Sequence, residues 1–202
     1  MSRKQQRGEA TVEQLLDAAL RVYAETGEQG LTVAAITRTS GVSLGSLYHH
    51  FGSIDGLLDA LVDRWLGHLL GETLAALEHT RTARTGIRAL VRAYLGFVQE
   101  HRDAARLLHS AHADRRAMAD GRRLRDAQEA RVSPLVQWIQ GYVERGELAP
   151  LEPPLIESLI LGPVVGIARR WLSGIDDVDL DRAAVLLPER IWRAVAADHG
   201  TG

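Results

Sequence analysis

The chain has 202 residues, 46% of them hydrophobic and 25% charged, with a formal net charge of -2, which is an ordinary composition for a globular protein with a buried core. It contains no cysteine, which excludes disulfide frameworks, thiolate zinc sites and cysteine nucleophiles. It also lacks the strongly basic balance that is the usual footprint of nucleic-acid binding, so any such function has to be argued from motif geometry.

The first ten residues are polar, with three basic residues (Arg3, Lys4 and Arg7) and no apolar core of a signal peptide. We interpret them as a basic arm. The longest apolar stretch, residues 155–172, is interrupted by charged residues and falls short of the ~20 apolar residues that span a bilayer. We therefore expect a cytoplasmic protein with no membrane partner.

Helix signals then follow one another along the chain. Thr11 is expected to begin the first helix, because Gln14 completes a capping box, and Gly27 is expected to end it. Thr32 caps a second, short helix, and Ser43 caps a third that runs to about His50.

A long fourth helix follows Ser53, with an apolar stripe that continues to Leu77. The remaining segments also show helical spacing, and no segment shows the alternation of a strand. The sequence therefore predicts an all-α fold. Residues 1–52 are expected to form a three-helix helix-turn-helix DNA-binding domain with a basic arm, and residues 53–202 a helical ligand-binding and dimerisation domain.

Residues 32–51, TVAAITRTSGVSLGSLYHHF, carry the functional argument. Two short helices are joined by a turn containing Gly41, which is the helix-turn-helix arrangement. Ile36, Val42 and Leu47 would form a shared core that sets the angle between the helices. The second helix then leaves small and polar side chains facing outward, and these suit a major groove about 12 Å wide. Those side chains are Ser43, Gly45, Ser46, His49 and His50, with Leu44 placed to contact a thymine methyl.

Residues 11–66 resemble the DNA-binding domain of the TetR family of transcriptional regulators. The resemblance lies in the LTV opening at Leu31, the GVS turn at Gly41 and the LYHHF run from Leu47 to Phe51. It implies that Thr32 and Tyr48 hydrogen-bond phosphates, and that the outward residues of the third helix face bases or nearby phosphates. The family often has a basic residue where this chain has Leu44, and usually a lysine where it has Ile54. A weaker salt dependence of DNA binding is therefore expected.

The segment from Leu155 to Leu172 is apolar nearly all round, so one face is expected to meet the core and the other to meet a partner subunit. Together with the last helix it would form a four-helix interface across a two-fold axis, where the resemblance also places the dimer. A helix fully inside one subunit remains the alternative. The residues expected at this interface are Ile160, Gly162, Val165, Gly166, Arg169, Leu187, Ile191 and Val195.

Four aromatic residues are candidates for lining a pocket for an unknown small-molecule effector: Tyr94, Phe97, Trp138 and Tyr142. The sequence predicts no cofactor, no metal site and no catalytic residue. The preferred function is a ligand-responsive transcriptional repressor that binds a palindromic operator of double-stranded DNA as a homodimer.

Two alternatives to this function stay open. One is a helical adaptor that has lost specific DNA binding, and the other is an all-α enzyme using His101, His109 or His112. Two further patterns have plainer interpretations. The GVSLG match to a hydrolase nucleophile motif lacks the preceding strand. The basic residues at 115, 116, 122, 123 and 125 are interleaved with acids and indicate a solvated, salt-bridged face.

Overall fold

The computed structural model describes residues 3–126, 134–175 and 177–197. Within these ranges the fold is all-α, as predicted, and contains ten helices and no strand. They are α1 (Arg3–Gly30), α2 (Val33–Ser40), α3 (Leu44–Phe51), α4 (Ile54–Glu78), α5 (Ala83–Glu100), α6 (Arg102–Leu108), α7 (Ala111–Asp126), α8 (Pro134–Glu144), α9 (Pro153–Leu172) and α10 (Leu180–Val195). None of the described helices is long and apolar enough to cross a membrane.

The chain divides into two compact units. We call the first the head; it contains Met1–Gly67 and, from further along the chain, Arg106–Ala117. The second, the body, contains His68–Ala105 and Met118–Gly202. The functional domains predicted from the sequence, 1–52 and 53–202, are a different division and stay a prediction.

The predicted start of the first helix is wrong. The helix begins at Arg3 instead of Thr11, because most of the residues before Thr11 are good helix formers and nothing there stops the helix. The Thr11 hydroxyl donates to the carbonyl of Arg7 at 2.9 Å, so it lies within a helical turn and caps nothing. The basic arm is therefore helical from Arg3 onward. Gly27 interrupts the helix with a φ of 69°, and one further turn follows it.

The head has one hydrophobic core built from α1 to α4 and a piece of α6–α7. Ile36 and Leu47 are fully buried in it, and Val42 is partly buried against it, as the helix-turn-helix pattern predicts. Leu107 and Ala113, which the sequence does not connect with the head, are also buried in this core. Burying a leucine side chain stabilises a fold by about 1.5–3 kcal/mol, so the later segment is a structural part of the head.

The body packs α5 against α9 and α10, and α8 against α9. Thr82 begins α5 with a capping box formed with Thr85. One face of α9 is buried at four-residue intervals, by Ile156, Ile160, Val164, Ala168 and Leu172. The opposite face of α9 is exposed at Leu155, Gly162, Pro163 and Gly166. This helix therefore has one inner and one outer apolar face within a single chain.

Candidate nucleic-acid interface

The helix-turn-helix is held in shape by local hydrogen bonds. Thr32 Oγ1 accepts from the backbone N–H of Ala35 at 3.1 Å, and Ser43 Oγ accepts from that of Ser46 at 3.3 Å, so both residues cap their helices as predicted. Gly41 has a φ of 70°, a left-handed conformation that a side chain would strain. The turn therefore needs glycine at this position.

The turn is also tied to α1. The side-chain amide of Gln14 donates to the carbonyl of Ser40 at 2.7 Å, while the Ser40 hydroxyl accepts from the N–H of Val42 at 3.1 Å. Gln14 was expected to cap α1, and its actual role is to hold the end of α2. These bonds give α3 a fixed direction relative to α1 and α2.

One face of α3 is buried and the other is open. Leu47 is fully buried in the head core. Since successive helical residues are about 100° apart, Gly45 and His49 lie nearly opposite Leu47, at the centre of the outer face. A Cβ built on Gly45 meets no atom within 4 Å. The helix backbone can therefore come close to a ligand at this point.

The other predicted DNA-binding residues flank this centre. Leu44 and Tyr48 lie on one side and are 53% and 47% exposed. Ser46 and His50 lie on the other and are half-buried. Thr32 and Ser43 are exposed, and each hydroxyl keeps a proton to donate beyond its cap. The structure thus places all the predicted residues in the helix-turn-helix with at least part of their surface free, and their contact with DNA stays a prediction.

Positive charge on this surface is sparse. No residue of α3 is lysine or arginine, and its last turn carries His49 and His50. Arg38 is exposed in the last turn of α2, and Arg7 is exposed on α1. The side chains of Arg3 and Lys4 lie outside the described residues.

Two charge clusters that the sequence did not reveal hold α4 in the head. In the first, Arg64 of α4 lies 2.8 Å from carboxylate oxygens of both Glu13 and Asp17 on α1. The Arg64 side chain is 15% exposed, and its guanidinium lies 5.7 Å from the ring centroid of Trp65. This cluster joins the helix that precedes the helix-turn-helix to the helix that follows it.

The second cluster joins α7 to the other side of α4. Arg116 Nη2 lies 2.6 Å from an oxygen of Asp63, and Arg116 Nη1 donates to the backbone carbonyl of Asp59. His112 Nε2 lies 3.0 Å from Asp59 Oδ1. His112 and Arg116 lie on the same face of α7, one turn apart. We call this group the α7 clamp.

The α7 clamp bears on two interpretations made from the sequence. The basic residues of α7 indicated a salt-bridged face, and among the described side chains Arg115 pairs with Glu28 of α1 and Arg116 with Asp63 of α4. The side chains at 122, 123 and 125 lie outside the described residues. His112, one of the histidines considered for an all-α enzyme, faces Asp59, and the described residues contain no group of three or more His, Cys, Asp or Glu side chains that could hold a metal ion.

The aromatic residues predicted to line an effector pocket fall in two places. Trp138 and Tyr142 of α8 lie with ring centroids 4.8 Å apart, and the Trp138 ring lies against Gly86 of α5. Phe97 is buried and packs on His101, with ring centroids 4.9 Å apart. Since a helix rises about 1.5 Å per residue, Phe97 lies about 16 Å along α5 from Gly86.

Tyr94 is the most strongly perturbed ionisable group among these candidates. It is buried in the body, and burial raises the pKa of its phenol to about 12, while the charge of Arg169 acts in the opposite direction. The phenol therefore keeps its proton, and can donate a hydrogen bond, throughout the neutral range. Arg169 was expected at a dimer interface, and this electrostatic contact shows that α9 also brings it towards α5.

The structure corrects the predicted dimer residues at three positions. Ile160, Ile191 and Val195 are buried in the core of the body, with 2% or less of their surface exposed, so they offer no surface to a partner. Gly162, Gly166 and Arg169 are exposed on α9, and Val165 and Leu187 are half-buried. Val185 and Leu186 of α10, which were not predicted, are 67% and 53% exposed.

A capped pair of short helices, a glycine turn and an open face on the second helix together define the helix-turn-helix class of DNA-binding domain. Within that class, residues 15–61 match the family model for bacterial regulatory proteins of the tetR family. The resemblance of this region to the TetR family of transcriptional regulators is thereby confirmed.

A relative in Rhizobium meliloti (strain 1021), the HTH-type transcriptional regulator BetI, is 41% identical over 78 residues. That match covers 39% of this chain and 38% of the relative, so the chain spans well under half of the length of this curated relative. The similarity in sequence to this relative therefore concerns less than half of the chain.

Solved structures show that the similarity in fold extends further. A TetR family transcription regulator from Marinobacter aquaeolei VT8 has a TM-score of 0.73 and 22% identity, covering 96% of this chain and 99% of that one. The transcriptional regulator FadR from Bacillus subtilis, solved in complex with stearoyl-CoA, has a TM-score of 0.74 and 18% identity, covering 89% and 96%. At these identities the likeness concerns the fold alone.

Proposed function

We propose that this protein is a ligand-responsive transcriptional repressor that binds a palindromic DNA operator as a homodimer. The observation that carries the proposal is the outer face of α3. It is open, centred on a glycine and a histidine, and supported from behind by a fully buried leucine. A helix of this kind enters the major groove with its N-terminal residues towards the base edges.

The exposed apolar surface of α9 and α10 supports the dimer. Leu155 is 46% exposed, and Val185 and Leu186 are more exposed still. A Cβ built on either Gly162 or Gly166 meets nothing within 4 Å, which leaves room for a second helix to approach closely. We propose an interface centred on these residues, with Arg169 at its edge and with Val165 and Leu187 partly included. A specific interface buries about 800 Å² on each partner.

The palindrome follows from the dimer. A two-fold axis places two copies of α3 in successive major grooves, with half-sites about 34–36 Å apart or at a related spacing. Base-edge contacts from the outer face of α3 would give specificity, while Thr32, Tyr48 and the basic residues of α1 would position the head on phosphates.

An effector would bind in the body. Tyr94, Phe97, Trp138 and Tyr142 are proposed to contribute to its site, since they offer aromatic surface with a few polar atoms. The FadR structure shows that a protein of similar fold holds stearoyl-CoA. Three helices, α4, α6 and α7, contribute residues to both the head and the body. A change in the body can act on the head through these helices, with a coupling free energy typically of ~1–3 kcal/mol.

The test is selection of the purified protein against random duplex DNA at two salt concentrations. We expect enrichment of a palindrome with regularly spaced half-sites, and a dimer by sedimentation. Tyr48→Ala should abolish the enrichment, whereas Arg88→Ala, an exposed position in the body, should retain it. Binding without sequence preference, or equal function of Tyr48→Ala, would instead support a helical adaptor.

A further inference from the structure

We propose that His49 and His50 make operator binding pH-dependent, so that the protein binds its operator more tightly as pH falls from 8 to 6. This inference rests on the proposed function and concerns the regulation of the same surface. An imidazole changes its charge between about pH 5 and 8. A protonated imidazole on α3 would add a positive charge to the surface that is proposed to face DNA.

The first step is the composition of α3. Its eight residues, LGSLYHHF, contain no lysine, no arginine and no carboxylate. The histidines are the only side chains on this helix that can carry a charge near neutral pH. Protonation of either imidazole would place a positive charge in the last turn of α3, and a dimer has four such imidazoles.

The second step is position. His49 is exposed one turn from Gly45, at the centre of the outer face. His50 is half-buried beside it, with the two ring centroids 5.2 Å apart. One edge of the His50 ring lies 3.8 Å from a Cβ built on Gly8 of α1. Both imidazoles thus lie on the part of the head that would meet DNA bases and the phosphates next to them.

The third step concerns the charged groups on the surrounding elements. Arg7 and Glu9 flank Gly8 on α1, Arg38 ends α2, and Asp55 lies in the first turn of α4. Within the described part of the chain, no ion pair joins either histidine to a carboxylate. Since no described carboxylate pairs with them, a DNA phosphate would be the strongest anion that they meet.

The magnitude follows from counterion release. Each phosphate neutralised by a protein cation adds about 0.9 to the slope of log K against log salt. Four imidazolium groups in a dimer would therefore steepen that slope by up to about 3.6 between pH 8 and pH 6. At fixed salt we expect affinity to rise at least tenfold over the same interval.

The experiment measures binding of the full-length protein to its selected operator at pH 6 and pH 8, each at several salt concentrations. The double variant His49→Gln, His50→Gln keeps hydrogen-bonding side chains of similar size and should show nearly the same salt slope at both pH values. His79→Gln is the matched control, since it is exposed at the end of α4. His112→Gln tests the α7 clamp, where a histidine of the head lies 3.0 Å from a carboxylate oxygen of Asp59. Both controls should keep the wild-type pH dependence.

A second measurement does not depend on any variant. Calorimetric titration of the wild-type protein with operator at pH 7, in two buffers of different ionisation enthalpy, should reveal protons taken up on binding. Equal affinity and equal slope at both pH values, or no proton uptake, would overturn the inference while leaving the proposed function intact. Retention of the pH dependence by the double variant, or its loss in His112→Gln, would overturn it as well. If the wild-type protein selects no operator at either pH, the proposed function itself fails.

Discussion

Substitution of Gly45 by alanine separates the stability of the fold from the reading of DNA. The residue lies in the first turn of α3, at the centre of its outer face, and an added Cβ would meet no atom of the protein within 4 Å. Its backbone is not in the left-handed region, in contrast to Gly41. Alanine therefore fits without strain, and its methyl group projects outward.

The two expected effects have opposite signs. Replacing glycine by alanine at a compatible helical position stabilises a protein by about 0.4–1 kcal/mol, mainly by restricting the unfolded chain. For a chain of this size, that corresponds to an increase in Tm of about 1–4 °C. On the DNA side, the methyl group would keep the helix from seating fully. A good base contact is worth about 1–3 kcal/mol, so we expect operator affinity to fall at least tenfold, which is about 1.4 kcal/mol.

The assay pairs thermal unfolding with operator titration by fluorescence anisotropy at fixed salt and pH. Gly67→Ala is the matched control. Gly67 is an exposed helical glycine of the head, and a Cβ there also meets nothing within 4 Å. It should raise the Tm by a similar amount and leave operator affinity within about twofold of wild type. If Gly45→Ala melts higher and still binds the operator as tightly, the first turn of α3 does not lie against DNA.

Three further predictions concern other parts of the molecule. Leu186→Glu places a charge on the proposed dimer face. Sedimentation should show a dimer dissociation constant raised about thirtyfold or more, which corresponds to ~2 kcal/mol at a central contact, while the helical circular dichroism spectrum stays unchanged. A dimer of wild-type affinity would contradict the proposed interface. Arg116→Ala removes the α7 clamp and should lower the free energy of unfolding, measured with urea, by about 1 kcal/mol. The effect is no larger because the carboxylates that pair with Arg116 are largely exposed to solvent. A change below about 0.3 kcal/mol would show that the clamp does not stabilise the fold. For Tyr94, the raised pKa of about 12 means that the folded phenol holds its proton more tightly than the unfolded one, so stability should fall as pH rises from about 10 to 12. Urea midpoints at pH 9 and pH 11 should therefore differ more for wild type than for Tyr94→Phe, and equal differences would contradict the assigned burial.

The helix-turn-helix could be predicted from the sequence because its determinants are local. The cap residues Thr32 and Ser43, the turn glycine and the buried Leu47 all act within a few residues of their partners. The start of α1 could not be predicted in the same way. Thr11 followed by Gln14 has the form of a capping box, but a cap begins a helix only where the preceding residues are not already helical.

The charge clusters and the dimer face depend on distant parts of the chain. Nothing near Arg116 in the sequence indicates that its guanidinium will reach Asp63, which is 53 residues away. Because α9 has apolar residues on nearly every side, the sequence does not indicate which of its faces is buried. The four-residue spacing from Ile156 to Leu172 resolves this only once α5 and α10 are in place.

The discontinuity of the head has a consequence for how the protein is made and how it can be engineered. Leu107 and Ala113 complete the head core, so during synthesis this core can be completed only after residue 117 has left the ribosomal exit tunnel. A gene fusion that contains residues 1–67 alone would expose the apolar surface that residues 106–117 normally cover, and exposed apolar surface promotes aggregation. A chimaeric regulator built from this chain therefore has to include Arg106–Ala117 as well as Met1–Gly67.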